Sequence, residues 1–108
     1  MLNRTALILR PKRPFQDWLK SFENNDDAPE LERDHSVYLV PAIDYYDELD
    51  AILKDVFSVL FESELENWNA DESTWPDRRT LRMFNDWFNV ELHTMIVDIC
   101  DFELVDDD

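Results

Sequence analysis

Residues 75–99, which read WPDRRTLRMFNDWFNVELHTMIVDI, constrain the fold of this chain more than any other stretch. They predict a short helix that runs directly into the longest apolar strand candidate. Pro76 suits the first turn of that helix, and Thr74 or Asp77 can cap it. The rest of the chain is expected to pack around this helix–strand unit. The apolar face of the helix recurs at helical spacing and consists of Leu81, Met83, Phe84, Trp87 and Phe88.

The strand that follows is predicted over residues 90–99. It alternates between apolar and polar residues at first and then becomes almost continuously apolar, which is typical of a strand covered on both faces. Asn89 can end the preceding helix in the left-handed conformation. The chain contains no glycine, so every turn with positive φ is expected to use Asn or Asp. The lack of glycine also excludes the phosphate-binding loops and nucleophile elbows that need it.

The remaining elements complete a βαβααβ order. Strands are predicted over residues 5–9 and 36–40, and a helix begins at Pro14. A long helix spans residues 44–68 with Asp44 as its cap. A short strand, a helix and a second strand favour a parallel pair with a right-handed crossover. The predicted fold is therefore one small α/β or α+β domain over residues 1–108, in which helices cover a sheet of about three strands.

Two acidic segments are expected to be irregular. Residues 23–35 predict a mobile loop, and residues 103–108 predict a frayed tail.

The apolar face of the first helix carries Phe15, Trp18, Leu19 and Phe22.

The charge of the 108-residue chain limits its partners. The net charge is −16, although residues 1–20 alone carry +4. A surface this acidic repels phosphates, so direct binding to nucleic acid or to an anionic membrane is not expected. No apolar run is long enough for a membrane span or a signal peptide. A single cysteine, Cys100, fits a reducing compartment, and we expect a cytoplasmic protein.

Residues that could carry catalysis are few. His93 lies on the last strand with Asp98, Cys100 and Asp101 further along, but these residues have no metal-ligand spacing. Cys100 is interpreted as an inert core thiol, because no positive side chain flanks it. No cofactor or metal is predicted. The cluster of Arg78, Arg79 and Arg82 is interpreted as a source of internal salt bridges, with an anion site as the alternative.

The densest co-location of carboxylates and tryptophans lies at the end of the long helix. Tryptophan dominates the energy of many interfaces, so this stretch is the predicted docking site. Trp68 and Trp75 can alternatively close the end of the core, whereas Trp18 and Trp87 are predicted to pack inside it. The predicted site consists of Glu62, Glu64, Glu66, Trp68, Asp71, Glu72 and Trp75.

The function predicted from these features is that of an acidic interaction module that docks on a basic protein partner. Mimicry of nucleic acid towards a DNA-binding protein is one form of this function. One alternative is a small carboxylate-using enzyme or metal-binding protein centred on His93. Another is an acidic surface that serves solubility or salt tolerance alone. A homodimer is also expected, formed through the long helix or the edge of the final strand.

Overall fold

The computed structural model describes residues 2–21, 35–43 and 47–106. Its elements follow the predicted βαβααβ order and form a small α+β fold. A short 3₁₀ helix (Glu72–Thr74) lies between the second and third α-helices. Most of the predicted loop over residues 23–35, the Asp44 cap and residues 107–108 lie outside the described residues. The six main elements are β1 (Arg4–Pro11), α1 (Arg13–Lys20), β2 (Val37–Pro41), α2 (Asp47–Trp68), α3 (Leu81–Trp87) and β3 (Phe88–His93).

The sheet has the strand order β2-β1-β3, and both of its pairings are antiparallel. The prediction that β1 and β2 pair in parallel is therefore wrong. A parallel pair needs a crossover that returns the chain along the full length of the sheet. An antiparallel pair needs no such return, and β2 runs back beside β1. The alternation of side chains is the same in both kinds of pair, so the sequence pattern did not determine the direction of pairing.

Helix α3 begins later than predicted, and its cap is Thr80. The Thr80 hydroxyl accepts a hydrogen bond from the Met83 N–H at 3.1 Å. Thr74 instead ends the 3₁₀ helix. Arg78, with φ of 52°, is the residue with positive φ in the described part of the chain, so the expectation that Asn or Asp takes this conformation is wrong. Asn89 does not end the helix either, because Phe88 is already extended and the chain passes straight into β3.

The last strand is shorter and less central than predicted. β3 ends at His93 and forms an edge of the sheet, whereas β1 lies in the centre. Pairing between β1 and β3 stops at Ala6 and His93, although β1 itself extends to Arg4. One further bond, from the Leu2 N–H to the Ile96 carbonyl at 2.6 Å, holds the start of the segment that follows.

The chain after β3 is exposed instead of buried. Every residue from 97 to 106 is exposed, and no helix or strand forms over residues 94–106. Cys100 is exposed as well, so its interpretation as a core thiol is wrong. We call residues 94–106 the C-terminal segment. Its large apolar side chains are 62–93% exposed and comprise Met95, Val97, Ile99, Phe102, Leu104 and Val105.

The core lies between one face of the sheet and the three α-helices. Strand β1 contributes Leu7 and Leu9, which are almost completely buried. Helices α1 and α3 meet where Trp18 and Trp87 approach to 6.4 Å between ring centroids, which confirms that both pack in the core. Aromatic rings fill the centre, and their offset and edge-on contacts are the arrangements that aromatic pairs prefer. These central rings are Phe15, Phe61, Phe84 and Phe88.

The opposite face of the sheet, which we call the open face, is not covered by the described helices. Residues directly opposite each other in an antiparallel pair lie on the same face. Ile8 therefore lies beside Val37 and Glu91, and Ala6 beside Leu39 and His93. Val37 and Leu39 are 57% and 47% exposed, so this face presents apolar side chains to solvent. Arg4 and Arg10 also lie on the open face and are exposed.

Candidate functional site

The predicted docking site lies where α2 ends and turns into the 3₁₀ helix. The Asn69 N–H extends α2 by donating to the Leu65 carbonyl at 2.9 Å. Asp71 then caps the 3₁₀ helix by accepting from the Ser73 N–H and hydroxyl at 3.1 and 2.7 Å. The hydrogen bonds from Ser73 hold the pKa of the Asp71 carboxyl below its usual range. Local capping thus fixes the path of the chain through the predicted site.

The two tryptophans of the site are half-buried and pack against the core. The Trp75 indole N–H donates to the Asn69 carbonyl at 2.8 Å, which ties the two ends of this turn together. The Trp18 indole N–H donates to the Thr74 carbonyl at 2.8 Å and connects the same turn to α1. These contacts support the interpretation that Trp68 and Trp75 close the end of the core. Their exposed edges remain accessible to a partner.

Glu62 is engaged in an internal ion pair. Its carboxylate lies 2.8 Å from the Arg79 guanidinium, which also donates to the Pro76 carbonyl at 3.1 Å. The same guanidinium lies 5.6 Å from the centroid of the Trp75 ring, within the range of a cation–π contact. For Arg79 the prediction of internal salt bridging is confirmed, whereas Arg78 and Arg82 are exposed. Glu62 is therefore already neutralised within the chain.

Glu64 occupies a different environment, because only 7% of the residue is exposed. The Tyr38 hydroxyl donates to its carboxylate at 2.6 Å, and the Asn67 amide does so at 3.5 Å. Burial raises the pKa of the Glu64 carboxyl, while these two hydrogen bonds oppose the shift. Burial together with the Glu64 carboxylate raises the pKa of Tyr38 to about 12. An electrostatic interaction with His35 also lowers the pKa of the Glu64 carboxyl, and no lysine or arginine among the described residues forms an ion pair with it.

The buried carboxylate lines an open cleft of about 380 Å³ between β2 and the last turns of α2. A carboxylate, an indole and an amide on one wall can receive a positively charged side chain, which gains from ion pairing and from cation–π contact. No sequence pattern indicated that Tyr38 would reach Glu64, because only the packing of β2 against α2 joins them. The described lining consists of His35, Ser36, Glu64, Asn67 and Trp68.

Three carboxylates of the predicted site are exposed: Glu66, Asp71 and Glu72. Glu66 and Glu72 have no ion pair with a described residue. The structure therefore divides the predicted set by environment. Glu62 and Glu64 have partners within the chain, whereas Glu66, Asp71 and Glu72 are exposed and lie close in sequence to the half-buried tryptophans.

His93 lies at the edge of the sheet, away from the cleft. Its Nε2 is 3.0 Å from Glu91, which also pairs with Arg10 at 3.2 Å. The hydrogen bond with His93, followed by that from Arg10, holds the pKa of Glu91 below its usual range. Cys100 and Asp98 lie in the C-terminal segment, where the Cys100 N–H donates to the Asp98 carboxylate at 2.9 Å. Within the described residues, no group of three or more His, Cys, Asp or Glu side chains could hold a metal ion.

A search of the described residues found no helix with the length and apolarity needed to cross a membrane. No family model, curated protein or solved structure matches this chain.

Proposed function

We propose that this protein is an acidic interaction module that docks on a basic protein partner at the end of α2. The observation that carries the proposal is the buried carboxylate of Glu64 beside Trp68 in an open cleft. Burial penalises the charge of Glu64, and a lysine or arginine side chain inserted there would compensate it. The exposed Glu66 and Glu72 would attract the same partner at longer range. A DNA-binding protein is one class of partner with the required basic surface.

The exposure of these groups determines whether each affects mainly the association rate or mainly the binding energy. Exposed ion pairs contribute about 0–1 kcal/mol each, so Glu66 and Glu72 would act mainly on the rate of association. Trp68 is half-buried and already held by the core, so little side-chain freedom is lost when a partner covers it. We therefore assign most of the binding energy to Trp68 and Glu64 and most of the steering to the exposed carboxylates.

The test begins with a pull-down from lysate at low salt, followed by kinetics on the partner that is recovered. Charge reversal of Glu66 and Glu72 to lysine should slow association several-fold, and the loss should shrink as salt rises. Trp68→Ala should instead accelerate dissociation. Asp86→Lys, an exposed carboxylate on α3, is the matched control and should leave the kinetics almost unchanged. A partner whose kinetics ignore Glu66, Glu72 and Trp68 would place the site elsewhere.

The same variants separate docking from a surface that serves only solubility or salt tolerance. A charge that serves only solubility has no preferred location. Charge reversal of Asp86 and charge reversal of Glu72 would then change the association rate with the recovered protein equally. Melting temperatures in molar salt and in dilute buffer provide the second comparison. A protein adapted to salt would lose its fold in dilute buffer, whereas a docking module would keep it.

We also propose that the chain forms a homodimer. Of the two surfaces predicted for it, α2 offers less apolar area than the sequence suggests, because Leu65 is completely buried within the chain. Val59 remains 68% exposed on that helix. The chain that follows β3 is the more apolar surface and supports a dimer formed through the end of the final strand.

A further inference from the structure

The C-terminal segment exposes more apolar surface than a stable monomer normally tolerates. Six large apolar side chains lie within eleven residues, and the least exposed of them is 62% accessible. Contiguous exposed patches of this kind mark interaction sites or aggregation liabilities. From Val97 to Asp106 no backbone hydrogen bond to a described residue satisfies the main chain, apart from the Cys100 N–H and its Asp98 partner. Both the side chains and the backbone of the segment are thus available for a partner.

A second apolar surface is available on the same molecule. The open face presents Val37 and Leu39 on the edge strand β2, next to Ile8 on the central strand. Arg4 and Arg10 stand at the two ends of β1 on this face. The open face is therefore apolar in the middle, with Arg4 at one end and the Arg10–Glu91 ion pair at the other.

We infer that the C-terminal segment of one copy covers the open face of a second copy, and that the exchange is reciprocal in a two-fold dimer. The charges of the two surfaces are complementary. The segment contains no lysine or arginine, and its four carboxylates belong to Asp98, Asp101, Glu103 and Asp106. On the open face Arg10 is already paired with Glu91, whereas Arg4 has no ion pair with a described residue and can receive a carboxylate of the segment. Residues 1–20 are also the one strongly basic part of an otherwise acidic chain.

The area that such an exchange would bury is adequate for a specific dimer. Burial of one large apolar side chain removes roughly 60–120 Å² from water, so six of them provide on the order of 500 Å² per segment. Two segments and the two faces that they cover would together bury about 2,000 Å², above the roughly 1,000 Å² that a specific interface needs. The ten residues from 97 to 106 span about 33 Å when extended, enough to cross a neighbouring three-stranded sheet.

This inference rests on the proposed homodimer and adds the identity of its two surfaces. Three aspartate substitutions of exposed apolar residues test it with equal added charge: Ile99→Asp in the segment, Leu39→Asp on the open face and Val59→Asp on α2. Molar mass is measured by light scattering over a range of concentrations, and circular dichroism confirms that each variant is folded. Ile99→Asp and Leu39→Asp should each weaken dimerisation by on the order of tenfold or more. Val59→Asp should dimerise like the parent chain.

A mixture of the Ile99→Asp and Leu39→Asp proteins gives the decisive result. The first keeps an intact open face and the second an intact segment, so the mixture should recover dimers that neither variant forms alone. Packing of segment against segment predicts no such recovery and would overturn the inference. A dimer lost only in Val59→Asp would also overturn it while leaving the homodimer in place. A parent chain that stays monomeric at millimolar concentration would refute both, without bearing on docking to a basic partner.

Discussion

Replacing Tyr38 by phenylalanine removes one hydroxyl from the cleft and leaves the ring that packs against α2. The hydroxyl donates to the Glu64 carboxylate at 2.6 Å and lies 3.0 Å from the Ser63 hydroxyl. A hydrogen bond to a charged group contributes about 1.5–3 kcal/mol, whereas one between neutral groups contributes about 0.5–1.5 kcal/mol. We therefore expect Tyr38→Phe to lower the free energy of unfolding by about 2 kcal/mol at neutral pH.

A double-mutant cycle with Glu64→Gln isolates the part of the Tyr38–Glu64 hydrogen-bond energy that depends on the charge of Glu64. Glutamine still accepts the Tyr38 hydrogen bond but carries no charge, so Tyr38→Phe should cost about 1 kcal/mol less in that background. Urea unfolding followed by tryptophan fluorescence resolves such a difference, since domains of this size are stable by roughly 5–15 kcal/mol. An equal cost of Tyr38→Phe in both backgrounds would refute the assignment of Glu64 as a buried ion held by Tyr38.

The same pair predicts a dependence on pH whose sign is set by Glu64. Its pKa is raised by burial, so the folded state binds the proton more tightly than the unfolded state does. The stability contributed by the protonated Glu64 carboxyl is fully present below the pKa of glutamate in the unfolded chain. It is lost as pH rises through the raised pKa of the folded state. Glu64→Gln should abolish this loss and stabilise the protein at neutral pH, because a buried neutral amide costs less than a buried ion. If unfolding free energies of the parent and Glu64→Gln proteins differ equally at every pH, the carboxyl is not perturbed.

Three further outcomes are expected. Because burial and Glu64 raise the pKa of Tyr38 to about 12, stability should fall as pH rises from about 10 to 12, and Tyr38→Phe should remove a step near pH 12 from a phenolate absorbance titration. Thr80→Ala removes the α3 cap and should cost about 0.5–2 kcal/mol in urea unfolding, against an expected change near zero for the exposed Ser58→Ala. With a net charge of −16, the melting temperature should rise on acidification to about pH 5 or on addition of salt; a flat response would mean that the carboxylates are compensated locally.

The number, order and type of the elements were predictable from the sequence because they depend on local periodicity. The helical spacing of Phe15, Trp18 and Leu19 and the apolar alternation of β1 each fit a single type of element, and the structure confirms both. The accumulation of carboxylates and tryptophans at the end of α2 was visible in the same way. The sequence did not show which of those carboxylates are exposed. Glu62 pairs with Arg79, which lies just before α3, and Glu64 bonds to Tyr38 on β2.

The tertiary structure alone decided how the strands pair and which apolar residues are buried. Periodicity is the same in parallel and antiparallel strands, so it could not reveal that β2 runs antiparallel to β1. Residues 94–99 are as apolar as a central strand, yet the pairing of β3 with β1 stops at His93, and all of them except Ile96 are exposed. Whether a side chain is buried depends on which other side chains pack against it. The sequence shows that a residue is apolar, but only the tertiary structure shows whether another element covers it.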